Sequence, residues 1–255
     1  MKSPERYDLN KPEIINLSKK IDQISGIAYS PDDNSLYAID DDNGDLYHIP
    51  LEQDPKIKKW KFGKNADFED VVFVDSTFYV LESRGRIIKF PWKFPINDSL
   101  VKKFDLQLNG LNEFETLYYD SSSGRLILLC KECDVDKNKT VSAYAFDIHA
   151  DSFITKPVLE LKRKDLKKTL DEKLKRLKPS AGTMDPATGN IFIISSINKL
   201  LIVADKEYNV KDVYELNREL FGQPEGICFA PDGTLFVSNE AGPESKANIL
   251  IFKRK

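Results

Sequence analysis

A five-bladed β-propeller is the fold that this 255-residue sequence predicts, with six blades as the alternative. Three observations point to it. One phrase, an acid or serine opening a short apolar strand that is followed by a turn and a second strand, is written five times, beginning at Ser25, Glu69, Glu115, Ser180 and Glu225. Its starts lie 44, 46, 65 and 45 residues apart, and a period near 45 residues with turn signals between short strands is that of a four-stranded blade. Finally, "EIINL" at 13–17 precedes the first phrase and has no partner of its own, while the last blade supplies only "GICFA", "TLFVSN" and "NILIF". An open blade edge invites misassociation, so the N-terminal strand is expected to complete blade five and close the ring.

The blades are placed at approximately 25–66, 67–110, 113–161, 178–218 and 223–255 plus 13–17, as a single domain. In the first, "GIAYS", "SLYAID", "DLYHIP" and "KIKKWKF" read as strands, with Asn43-Gly44 as a tight hairpin turn. Ser123-Gly124, Gly189-Asn190 and Asp232-Gly233 mark the hairpin between first and second strands in later blades. Runs such as "LILL" and "IFII" are apolar throughout and do not alternate, as expected of sheets stacked face to face around a ring. The extra length of the third step is "KRKDLKKTLDEKLKRL", residues 162–177, where Leu166, Leu170, Leu174 and Leu177 fall at helical spacing. This insertion is expected to be an amphipathic helix that flanks the mouth of the ring as a fixed wall. Its basic face either stays solvated or lies near a membrane surface.

Lys and Arg number 38 against 41 Asp and Glu, and the net charge of -3 gives no reason to expect nucleic acid as a partner. No apolar run reaches the roughly 18 residues of a membrane span, and "MKSPERYDL" lacks the apolar centre of a secretion signal. Three cysteines make no disulfide framework. Cys130-x-x-Cys133 ends a strand-like run and has no second pair to complete a zinc site, so no redox or zinc role is expected of it. His48 and His149 stand in no catalytic motif, and no glycine-rich phosphate loop is present. The acidic run "AIDDDNGD" is not an EF-hand loop, because placing Gly44 sixth puts Ile39 first and Pro50 twelfth.

In a blade the first strand lines the channel and the second returns antiparallel to it, so the start of one and the end of the other meet at one rim. That geometry gathers Glu69, Glu115 and Glu225 with Ser25 and Ser180. The second strands bring Asp40, Asp41, Glu82, Lys131, Glu132, Ser195, Asn239 and Glu240. Carboxylates converging on a channel repel unless a cation intervenes. Calcium, or another hard divalent cation, takes six to eight oxygens and tolerates irregular geometry. Glu69, Glu115 and Glu225 are therefore the candidate metal ligands, and Asp40, Asp41, Lys131, Lys178, Ser180 and Asn239 are candidates to hold a small polar or anionic ligand.

The phrases "SGIAYSPDDNSLYAID", "FEDVVFV", "FETLYYD", "KPSAGTMDPATGNIFIISS" and "PEGICFAPDGTLFVSNE" together resemble the SdiA-regulated domain family of YjiK-like β-propellers, over nearly the whole chain. The most specific element is "KPSA", where Lys178 and Ser180 replace the glutamate phrase. The chain departs from the regular opening in blade one, where Ser25 stands for an acid. The resemblance implies a protein of the cell envelope, periplasmic or membrane-anchored, with no established reaction. The architecture also looks like that of calcium-dependent propeller hydrolases of phosphate esters. Three functions follow as expectations: an extracytoplasmic, monomeric binder of calcium and a small ligand; a calcium-dependent hydrolase of phosphate or other esters with Glu82, Glu132 or Glu240 as base; or a platform for protein interaction.

Overall fold

The computed structural model describes residues 1–137, 139–166, 176–243 and 245–255. Five four-stranded antiparallel sheets are arranged as blades. Blade one holds β2 (Ile24–Ser30), β3 (Ser35–Asp40), β4 (Asp45–Pro50) and β5 (Lys58–Lys61), and blade two holds β6 (Phe68–Val74), β7 (Thr77–Glu82), β8 (Arg86–Pro91) and β9 (Lys102–Asp105). Blade three is β10 (Asn112–Asp120), β11 (Arg125–Cys133), β12 (Thr140–Asp147) and β13 (Ser152–Lys162). Blade four is β14 (Ala181–Met184), β15 (Ile191–Ser195), β16 (Leu200–Ala204) and β17 (Val210–Glu215). Blade five contains β18 (Pro224–Phe229), β19 (Leu235–Asn239) and β20 (Asn248–Phe252), and its outer strand is the N-terminal β1 (Glu13–Asn16). β1 runs antiparallel to β20 from Glu13↔Ile251 to Asn16↔Asn248, so the ring is closed by the two ends of the chain.

Apolar second and third strands bury both faces because each blade packs between two others. The result is a set of five buried clusters, one at each blade junction. Between blades one and two, for example, Leu46, Phe62, Phe68, Phe78 and Phe90 are fully enclosed, each worth roughly 1.5–3 kcal/mol of burial. Toward the axis the inner strands approach so closely that a side chain is excluded. A Cβ on Gly26 would lie 2.5 Å from the Cα of Asp70, and one on Gly226 would lie 2.7 Å from the carbonyl oxygen of Ser25.

Hydrogen bonds join the blades near the axis. The Phe68 amide donates to the Asp41 carbonyl (2.8 Å), the Phe114 amide to that of Ser83 (2.7 Å) and the Ala241 amide to that of Asp22 (2.8 Å). Asp70 accepts from the Leu117 amide of blade three and from its own neighbour Val71, both at 2.8 Å. Burial holds its carboxyl well above the carboxylate range. The Ser180 hydroxyl donates to the Pro224 carbonyl, and that of Ser238 to the Ser25 carbonyl, both at 3.0 Å.

The insertion after blade three differs from its expected form at the start. Lys162 is the last residue of β13, held there because Thr140 pairs with it. The helix α1 (Arg163–Leu166) begins one residue later. Leu166 and Leu177 are buried in one cluster between blades three and four. The expected helical residues Leu170 and Leu174 lie outside the described residues, as does most of the proposed wall. Among the described residues no helix is long and apolar enough to cross a membrane.

Candidate functional site at the acidic mouth

At one end of the channel the inner strands open a cavity of about 360 Å³. β-bulges aim its carboxylates. In blade two Phe68 faces Glu82 and Asp70 faces Leu81, leaving Glu69 as the extra residue. Likewise Glu115 is unpaired between Phe114 and Thr116, and Glu225 between Pro224 and Gly226. A bulge breaks the two-residue alternation and re-aims the inserted side chain. Phe68 and Asp70 stay buried while the glutamate between them turns to the cavity. Blade one has the same irregularity at Ser25 and Gly26. In four of the five repeats the phrase is therefore a bulge as well as a strand start.

Among the described residues, seven carboxylates, those of Asp41, Asp67, Glu69, Glu113, Glu115, Glu225 and Glu240, line this mouth with two ammoniums, those of Lys131 and Lys178. Glu115 is paired with Lys131. Lys178 is bonded to Glu132 at 2.5 Å. Among the described residues neither Glu69 nor Glu225 forms a salt bridge. Burial, followed by the charge of Asp67, pushes the Glu69 carboxyl up to about 8, with Lys131 pulling the other way and Glu225 and Asp41 adding repulsion. Burial lifts Glu225 to about 7 with help from Glu240, against a hydrogen bond from Ser196 and the fields of Lys131 and Lys199. Glu240 and Asp41 are raised too, each by burial first, with Asp41 acting on Glu240 and with Asp42, Asp40 and Asp67 acting on Asp41.

The strand-two residues divide by parity. The mouth is lined by the residue after the strand end: Asp41, Ser83, Ser196 and Glu240. The last strand residues themselves turn elsewhere, as the pleat requires. Asp40 accepts from the Asn43 amide and side chain (both 3.0 Å) and from the Tyr47 hydroxyl (2.8 Å), holding the hairpin. Asn239 donates to the Leu220 carbonyl and to Asn248, both at 3.0 Å. Glu82 is ion-paired with Arg86 at 3.3 Å. Ser195 donates to the Lys178 carbonyl (2.6 Å), fixing the strand entry that carries Lys178. Ser180 lines the cavity, its hydroxyl already committed to Pro224. Glu132 lies outside it, held below its ordinary pKa chiefly by the hydrogen bond from Lys178.

Asp67 and Glu113 are mouth residues that sequence reasoning missed. Both stand two positions before the bulge glutamate, where Gln23, Lys178 and Gln223 occupy the other repeats. A polar residue in that column of all five repeats was a legible signal. Asp67 accepts from the Ser83 hydroxyl at 2.5 Å, and Gln223 donates to Glu240 at 2.7 Å.

The structure joins Cys130 and Cys133 in a disulfide with Cα atoms 5.8 Å apart, a pairing to which sequence reasoning gave no role. Cys228 is a buried free thiol. Together with Asp136 the bridged pair forms the only trio of ligand-type groups within 4.8 Å of one another among the described residues. The disulfide uses both sulfurs, and Asp136 is committed to Thr140 and Ser142 (2.9 and 2.6 Å). The three glutamates thus share a cavity without being drawn into one tight cluster.

Known structures place the chain among propeller-like folds. A luciferin-regenerating enzyme is 12% identical with a TM-score of 0.55, with 95% of each chain covered. A PQQ-bound aldose sugar dehydrogenase from Streptomyces coelicolor is 11% identical with a TM-score of 0.54, over 96% of this chain and 99% of the other. A chain of a nidogen/laminin complex is 13% identical with a TM-score of 0.55, over 85% of this chain and 72% of the other. At such identities the likeness is one of fold. No curated protein sequence matches the chain. The SdiA-regulated family profile matches residues 5–244, and with the five-bladed ring and its repeated bulges this chain belongs to the SdiA-regulated family.

Proposed function

We propose that the acidic mouth binds a hard divalent cation, calcium in the first instance, and with it a small polar or anionic ligand. The observation that carries this reading is the state of Glu69 and Glu225. Both are aimed into the cavity by bulges, both have their pKa raised by burial and like charge, and neither has a described ammonium partner. A cation would relieve that repulsion and replace the protons. Glu69 and Glu225 are the central ligands, with Asp41, Asp67 and Glu240 completing an oxygen shell beside water. Glu115 is the weaker candidate because Lys131 already neutralises it. Lys131 and Lys178 would then face the anionic part of a ligand seated above the metal.

An extracytoplasmic setting is supported by the Cys130–Cys133 disulfide, since such bonds persist in oxidising compartments. Calorimetric titration of chelator-treated protein with calcium tests the reading. Binding that is lost in Glu225→Gln supports it, and no heat with the parent protein refutes it.

Hydrolysis is the second reading. Glu82 and Glu132 are held in ion pairs, whereas Glu240 lines the cavity with a raised pKa suited to a general base. Turnover of a phosphate-ester panel that needs calcium and disappears in Glu240→Gln would make the mouth an active site. Uniform inactivity would leave it a binding site.

A further inference from the structure

We propose that the Cys130–Cys133 disulfide is a positioning clasp for the mouth. It holds the two residues it encloses, Lys131 and Glu132, so that one presents an ammonium to the cavity and the other anchors the entry to blade four.

Two bulges on facing strands make this place weak. Glu132 pairs with Glu113 and Cys130 with Phe114, which leaves Lys131 as an extra residue on β11. One step further along, Glu115 is the extra residue on β10. Both irregularities interrupt the ladder within one short stretch, and unpaired residues bend and loosen a strand. In an unbroken strand, Cα atoms three residues apart are roughly 10 Å from each other. Here they are 5.8 Å apart, within the span a disulfide bridges. The cross-link thus fixes a contracted backbone that the ladder does not hold.

The enclosed side chains leave in two directions. Lys131 pairs with Glu115 in the cavity. Glu132 takes Lys178 at 2.5 Å and Arg176 at 3.5 Å, both from the segment entering blade four. Lys131 and Lys178 are the two ammoniums of the mouth among the described residues, so one covalent clasp sets the position of both. Cys130 is fully buried and Cys133 is 6% exposed. That burial suits a permanent fastening and disfavours exchange with a dithiol in solution.

The clasp adds a positioning element to the proposed cation site, yet its test needs no cation. Lysine acetylation rates, read by mass spectrometry, are compared between the parent and a Cys130→Ala/Cys133→Ala variant. Lys89, which is as enclosed as Lys178 and paired with Asp151 in another part of the ring, is the internal control. Labelling of Lys131 and Lys178 should rise about two- to fivefold, the scale of losing a solvent-accessible ion pair, while Lys89 stays constant. If the variant fails to fold, the parent reduced with a phosphine is labelled instead. Unchanged Lys131 and Lys178 overturn the proposal. An equal rise at Lys89, or loss of the fold in both preparations, also overturns it, since the disulfide would then support the whole ring. Calcium titration of the same samples separates the two ideas: absence of binding in the parent removes the metal site and leaves the labelling result standing.

Discussion

Calcium affinity of the mouth should climb steeply with pH, because the cation must displace the protons that burial and repulsion place on Glu69 and Glu225. With pKa values of about 8 and about 7, the two carboxyls are roughly nine-tenths and one-half protonated at pH 7, so binding should release roughly 1.4 protons there. Integrated from pH 6 to pH 9, displacement contributes about 10²-fold from Glu69 and about tenfold from Glu225, or on the order of 10³-fold together. The sign is fixed by the direction of the shifts. Raised carboxyls lose the competition for a metal at low pH and win it only above their own pKa. Calorimetry in two buffers of different ionisation enthalpy yields both the affinity and the proton count. In Glu69→Gln the count at pH 7 should fall to roughly 0.5, since only Glu225 then exchanges a proton. An affinity that is flat from pH 6 to 9, or a proton release near zero in the parent, would refute the reasoning even if calcium bound.

Four further outcomes follow from the same geometry. Without a cation, stability contributed by the proton on Glu69 is full below its unfolded value of 4.5 and is lost as pH climbs toward about 8, a decline on the order of 5 kcal/mol; thermal melts of Glu69→Gln should show a shallower slope, and parallel slopes would remove the burial argument. Lys131→Ala deletes the partner of Glu115 and the ammonium that opposes Glu69 and Glu225, so calcium affinity should rise about tenfold, equivalent to one pKa unit of interaction, and weaker binding in the titration would contradict the assigned charge balance. Gly226→Ala places a Cβ 2.4 Å from the Ser238 hydroxyl and 2.7 Å from the Ser25 carbonyl, and should cost about 1–3 kcal/mol in denaturant unfolding; an unchanged midpoint would mean that the inner strands are not in contact. Removing residues 1–17 takes away β1 with the buried Ile15 and Leu17 and bares the edge of β20, so size-exclusion chromatography should show aggregation, and a soluble monomer would show that the ring does not depend on that strand.

Periodicity made the architecture legible because a blade is a local unit repeated: turn chemistry, apolar second strands and the unpartnered "EIINL" together required the ring and its closure. Glu69, Glu115 and Glu225 were legible for the same reason, since the phrase that carries each of them recurs with its bulge in blades two, three and five. What was not legible depends on parity and on unrepeated contacts. Asp40 and Asp41 are neighbours of one type, yet one holds a hairpin and the other lines the cavity. The difference is a single step of the pleat, which spacing between repeats does not report. Lys131 and Glu132 were placed at the mouth together as ends of a second strand, and that only Lys131 enters the cavity was not legible, because the second bulge and the disulfide that separate them occur, among the described residues, in blade three alone.

That asymmetry bears on function. In blades two and five the bulge glutamate enters the cavity without a salt bridge to any described residue, whereas in blade three it is met by a lysine brought in by a second bulge. Blades one and four offer a serine at the same position, and blade four adds Lys178 two residues earlier. A ring of identical blades would make a symmetric, uniformly acidic mouth that repels every anion. Substitution of two of the five openings, with a lysine at a third, divides the mouth into an acidic arc over blades five, one and two and a charge-balanced side at blades three and four, where Lys131 and Lys178 offset Glu113 and Glu115. Such a division would suit the proposed ligand, an anionic group beside a cation, and would give it one orientation in an otherwise five-fold frame.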